Sequence, residues 1–165
     1  VPVVLVHGVP ESAALWRPLR EALAARGVDG VVTLSPPGFG APTSDGWAAT
    51  MSDYRRWLID ELERIDGPID LVGHDWGAGH VFGAVTERPA SVRSYAADCL
   101  GLVHPDYVWH DMAQAWQTPE IGEQTVALLT ATPTADRVGL FEGFGAPHDV
   151  AVEMADAADD EMARC

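Results

Sequence analysis

The segment Gly73-His74-Asp75-Trp76-Gly77 sets an oxygen nucleophile between two glycines. It follows the strand expected over 69–72 and precedes a helical pattern over about 78–88, closed by Pro89. A residue in so sharp a strand-to-helix turn is pushed out at the end of its strand. Glycines fit beside it because a Cβ there would meet neighbouring backbone. The helix behind the turn supplies free N–H groups and a partial positive charge. Both favour Asp75 as an ionised carboxylate. Such a carboxylate can attack an sp³ carbon bearing a leaving group and form an ester. Water must then cleave the ester at its carbonyl, which needs an oxyanion hole and a general base.

A second turn, His7-Gly8-Val9-Pro10, ends the apolar run 3–6. The backbone N–H groups of Val9 and Trp76 are the expected oxyanion-hole donors. His7, Gly8 and Pro10 are expected to contact substrate. Asp98 follows the strand expected over 92–97, where it reads either as an acid that orients a histidine or as a loop aspartate. His74 reads as a structural residue of the turn, and His80 as a packing residue of the following helix.

These turns need a frame that brings strand ends together. Trp16, Leu19 and Leu23 mark a helix that Gly27 can end, and 31–34 reads as a second strand. Residues 35–47, rich in Pro and Gly, read as a loop. Tyr54, Trp57, Leu58, Leu62 and Ile65 mark one helical face, stopped by Gly67-Pro68. Tyr54 and Tyr95 read as core or sheet residues. Strand and helix alternate at the spacing of βαβ units, so the fold class is α/β with a parallel sheet. Ligands of such sheets bind at the carboxyl ends of the strands, where the polar and glycine-rich turns fall. After Asp98 no strand is expected. Helical stretches break at Pro119, Pro133 and 143–147, and an acidic helix is expected over 149–164. The chain divides into a core, 1–101, and a helical cap, 102–165.

The net charge of −15 argues against nucleic acid and anionic membranes as partners. No apolar run reaches the ~18 residues of a membrane span, and the first residues read as a strand rather than a signal peptide. Two cysteines, Cys99 and Cys165, suggest no disulfide framework and fit a cytoplasmic setting. His104, Asp106, His110 and Asp111 look like a metal cluster, but the two histidines are six apart rather than on one helical turn, and no metal or cofactor is expected.

Three segments together carry a family likeness: 7–12 with Trp16, then Pro37-Gly38-Phe39-Gly40, then 73–77. The chain resembles the α/β-hydrolase superfamily in its epoxide hydrolase and haloalkane dehalogenase branch. The resemblance implies Asp75 as nucleophile and an oxyanion hole from the amides of Val9 and Trp76. It implies a cap tyrosine that protonates an epoxide oxygen, for which Tyr107 is the candidate, and an apolar cavity that Trp109 and Trp116 help to line. Dehalogenases of the branch often carry Asn at the place of Val9, and fluoroacetate dehalogenases Arg at the place of Trp76. Both departures favour epoxide hydrolysis to a diol, on a small apolar substrate, over halide release.

The resemblance also implies a longer chain with more sheet at both ends and a general-base histidine near the C-terminus. The chain alone is therefore expected to show little turnover. A non-catalytic hydrolase-like binding module is the alternative of a different class. Open sheet edges would favour self-association into a homo-oligomer.

Overall fold

The structure, a computed structural model, describes residues 1–87, 91–159 and 161–165. Strands β1 (Val3–Val6), β2 (Val31–Leu34), β3 (Ile69–Gly73) and β4 (Val92–Ala97) form one parallel sheet in the order β2-β1-β3-β4. Parallel neighbours require crossovers. These contain α1 (Arg17–Ala24), α2 (Met51–Glu63) and α3 (Trp76–Glu87). The α/β class and the parallel sheet expected from the sequence are present.

Strand order positions the site. The chain steps from β1 outward to β2, then crosses back to lay β3 on the other side of β1. Ligands of α/β sheets bind at this kind of reversal. Val6 pairs with Gly73 and Gly73 with Ala97, so the turns after β1, β3 and β4 leave the sheet at one level.

Of the inner strands, β1 is buried on both faces, as parallel strands between helices tend to be, while β3 buries one face and leaves Asp70 and Val72 half-buried on the other. Val4, Leu5, Val6, Ile69 and Leu71 are fully enclosed. On one face Val4, Val6, Ile69 and Leu71 pack with Leu58, Ile59 and Leu62 of α2 and with Val81 and Ala84 of α3. Thr50 starts α2 with a reciprocal capping box to Asp53. The edge strand β4 is mostly exposed, and Tyr95 lies on it half-exposed rather than in the core.

Beyond β4 come α4 (Asp111–Gln117), α5 (Ile121–Ala131), α6 (Thr134–Gly143) and α7 (His148–Ala157), with no further strand among the described residues. A second core joins Phe141, Val150, Ala151 and Met154 from these helices to Ala14, Phe39 and Tyr54. Arg17 adds ion pairs to Asp149 and Glu153 of α7.

Some boundaries differ from expectation. Helix α3 begins at Trp76, because the elbow turn feeds straight into it, and its expected close at Arg88-Pro89 lies outside the described residues. Helix α7 ends at Ala157, and a short 3-10 turn, Met162–Arg164, follows. Of the face expected on the first helix only Trp16 is buried. Its 3-10 turn, Ala13–Trp16, carries that ring inward, while α1 itself buries no residue.

Candidate active site at the carboxyl edge of the sheet

Only His74 and Asp75 separate the end of β3 from the start of α3. The chain reverses there by placing Asp75 at φ +52°. That left-handed conformation is uncommon for a residue with a Cβ, and Asp tolerates it better than most. Gly77 follows because a Cβ there would strike the carbonyls of Val6 and His7. Gly8 is needed for a related reason: its Cβ would strike the Asp75 carboxylate.

The Asp75 side chain is half-buried, and Oδ2 accepts the Val9 N–H at 3.0 Å. Trp76 is the first residue of α3, so its N–H belongs to the turn that has no partner within the helix. The two amides expected as donors thus belong to the turns on either side of Asp75.

A chain of hydrogen bonds holds these turns together. Glu11 Oε2 accepts the Gly8 N–H at 2.9 Å, and Glu11 Oε1 lies 3.2 Å from His74 Nε2. His74 Nδ1 lies 2.6 Å from Asp98 Oδ2, and Asp98 Oδ1 accepts the Asp75 N–H at 3.0 Å. The hydrogen bond to Glu11, aided by Asp98 and opposed by partial burial, raises the His74 pKa to about 9. His74 is therefore an imidazolium at neutral pH, donating to a carboxylate on each side. Burial pushes Asp98 up, but the bonds from His74 and the Asp75 amide outweigh it and leave Asp98 below the usual carboxylate range.

A cavity of about 280 Å³ adjoins the turns, bordered by Val9, Phe39, Met51, Tyr54, Trp76 and His80 among others. Among the described residues, no Arg or Lys borders it. His80 stacks on Tyr54 with ring centroids 4.7 Å apart, and burial lowers its pKa to about 4.

The pattern that defines the alpha/beta hydrolase family matches residues 3–164. The chain belongs to that family. It is similar to the (E)-2-((N-methylformamido)methylene)succinate hydrolase of Acinetobacter baylyi, with 32% identity over 58% of this chain and 36% of that protein. It is also similar to an epoxide hydrolase of Caballeronia sordidicola, with 30% identity over 53% of this chain and 27% of that protein. The matched stretches thus span about a third of these relatives. The solved structure of E-2-(acetamidomethylene)succinate hydrolase shares the fold, with a TM-score of 0.65 and 19% identity, over 99% of this chain and 64% of that one.

Within this alpha/beta hydrolase, the fold brings Gly8, Val9, Asp75, Trp76 and Asp98 together at one sheet edge. Trp109 joins them by stacking on Trp76, with centroids 5.6 Å apart. Tyr107 meets Trp109 edge-on at 5.0 Å and so stands one ring further out, 37% exposed. Trp116 lies where α4 meets α5, its backbone against Gly122. Pro10 follows a cis peptide bond in the turn after β1. His7 is fully buried, its Nδ1 2.9 Å from the Gly8 carbonyl oxygen; it shapes that turn and does not border the cavity.

The grouping of His104, Asp106, His110 and Asp111 does not converge, because its histidines serve the backbone. His104 Nδ1 accepts the Asp106 N–H, and His110 caps α4. The donor atoms of His74, Asp98 and Cys99 do lie within 4.8 Å of one another, but His74 and Asp98 already satisfy each other.

The bracing role of Glu11 and the place of His80 on the cavity were both missed from sequence. The first carries no local signal. The second does: Trp76 and His80 are four apart and share a helix face.

Proposed function

We propose that Asp75 is the nucleophile of an ester-forming hydrolase and that an epoxide is its substrate. The observation that carries this reading is the bond from the Val9 N–H to Asp75 Oδ2 at the positive-φ elbow. It holds one carboxylate oxygen and leaves the other to attack. Oδ1 attacks an epoxide carbon in line, the ring C–O bond breaks, and the departing alkoxide takes a proton. Tyr107 is the candidate donor, on the reading that 102–165 form a cap.

Oδ2 becomes the carbonyl oxygen of the new ester. When water adds to that carbonyl, negative charge develops on the oxygen already facing the Val9 amide, the Trp76 amide being the second donor of the hole. Donors fixed before charge develops need no reorganisation at the moment of reaction.

Asp98 would orient the base that activates this water. His74, which Asp98 already holds, is paired with Glu11 as well and is an imidazolium at neutral pH, so it cannot be that base. An ester formed on this chain is therefore expected to persist. The cavity bears on substrate charge. The Acinetobacter relative is named for a succinate derivative, which carries carboxylates. A cavity bordered by neither Arg nor Lys suits an uncharged molecule better.

Incubation with styrene oxide, followed by digestion and mass spectrometry, tests the reading. An adduct of the epoxide mass on the Asp75 peptide, absent from Asp75→Ala, is expected. No adduct, or an equal one in the variant, overturns it.

A further inference from the structure

We infer that His80 reads a hydrogen-bonding group at the end of the substrate remote from the carbon that Asp75 attacks. The inference rests on the proposed role of Asp75 and deepens it. His80 borders the same cavity as Val9 and Trp76, and is only 3% exposed. Its Nδ1 is buried and has no hydrogen-bond partner. A buried polar atom without a partner destabilises the fold and calls for an explanation. Of the six such side-chain atoms among the described residues, His80 Nδ1 alone belongs to a residue that borders this cavity.

The ring is held in place rather than free to turn away. It stacks on Tyr54 at an interplanar angle of 14°, and Tyr54 is itself fixed by its hydroxyl, which donates to the Pro37 carbonyl at 3.1 Å. The Tyr54 hydrogen is thus already used, leaving His80 Nδ1 as the buried side-chain atom on this border that lacks a partner. The rest of the border is apolar at Val9, Phe39, Ala49 and Met51, with the Trp76 indole and the Cys165 thiol, which itself donates to the Pro37 carbonyl at 3.7 Å.

Helix geometry sets the distance. Trp76 stands at the elbow, and His80 lies one turn deeper on the same face of α3. Four residues advance ~6 Å along a helix axis. The matching substrate is an uncharged epoxide with a hydroxyl or similar group about that far from the ring. A carboxylate there would face a neutral imidazole with no cation beside it, so an uncharged group is selected.

The test compares 5,6-epoxyhexan-1-ol with 1,2-epoxyhexane, which lacks the terminal hydroxyl. The rate of adduct formation on Asp75 is followed by intact-protein mass spectrometry. The hydroxylated epoxide is expected to react about five-fold faster, the worth of one neutral hydrogen bond. In His80→Phe the ratio is expected to fall to about one. Equal rates in the native chain, or a ratio unchanged in His80→Phe, would overturn the role of His80.

If neither epoxide labels Asp75, the nucleophile reading fails, and a second arm judges His80 separately. In ¹⁵N-histidine-labelled native chain, hexan-1-ol is expected to shift the His80 ring resonances while those of His104 and His110 stay in place. Absence of that shift overturns the inference whatever Asp75 does, and this arm needs no variant to fold.

Discussion

The Asp75 carboxylate and the Val9 amide, 66 residues apart in the chain, meet at 3.0 Å. The contact links the turns after β1 and β3, strands that pair directly. Gly8 makes it possible, since any Cβ there would strike the carboxylate. In Gly8→Ala the methyl group is expected to displace Asp75 while the sheet stays intact. Adduct formation with styrene oxide should then drop about 100-fold, the scale of loss from an ångström of misplacement. Circular dichroism should be unchanged. An unaltered rate would show that the contact does not position the nucleophile.

The positive φ of Asp75 predicts a stability difference between two inactive variants. Asp75→Ala keeps a Cβ at φ +52°, whereas Asp75→Gly removes it. Gly adopts this conformation without the penalty of ~1–2 kcal/mol that a Cβ incurs. Urea unfolding should find Asp75→Gly more stable than Asp75→Ala by about 1 kcal/mol. The reverse order would mean that the elbow is relaxed.

His74 makes stability depend on pH. Its pKa is raised to about 9 from an ordinary value of 6.5, with Glu11 the leading cause. The folded chain holds this proton more tightly than the unfolded one. The stabilisation is therefore complete below about pH 6.5 and fades as pH rises through 9. Full burial would make a shift of this size worth roughly 3 kcal/mol. With a third of the side chain exposed, about 1–2 kcal/mol is expected. Urea midpoints at pH 6.5 and 9.5 measure it, and His74→Gln should remove most of the difference. A midpoint as high at 9.5 as at 6.5 in the native chain would contradict the two-carboxylate brace.

Phe141 tests how the helices after β4 are held. It is fully buried in a core shared with Ala14, Phe39 and Tyr54. Phe141→Ala should lower stability by about 3–5 kcal/mol, as large-to-small changes in a packed core do. Loss should appear alike by circular dichroism and by tryptophan fluorescence. A change under about 1 kcal/mol would mean that this core contributes little.

The pairing of residues in the site was only partly readable in advance. Asp75 and Val9 could be placed near each other because both turns end apolar strands of a parallel sheet, whose carboxyl ends share an edge. Asp98 could be placed there too, as the residue after the next strand. What it bonds to could not. Its partners, His74 Nδ1 and the Asp75 amide, follow from the one-level alignment of β3 and β4. Glu11 reaches His74 only because β1 lies against β3. Tyr107 was expected as a proton donor from the family resemblance, and packing set Trp109 between it and Trp76.

By itself the amino-acid order settled what short windows of chain decide. A run of branched apolar residues makes a strand, two glycines about Asp75 permit an elbow, and Gly67-Pro68 stops the helix before β3. These are interactions among neighbours, so neighbours suffice to read them. Tertiary structure alone decided the rest: which carboxylates flank His74, that His80 borders a cavity, and that Leu19 stays at the surface. Each depends on strand order, register and side-chain packing, which bring together groups that no local pattern links.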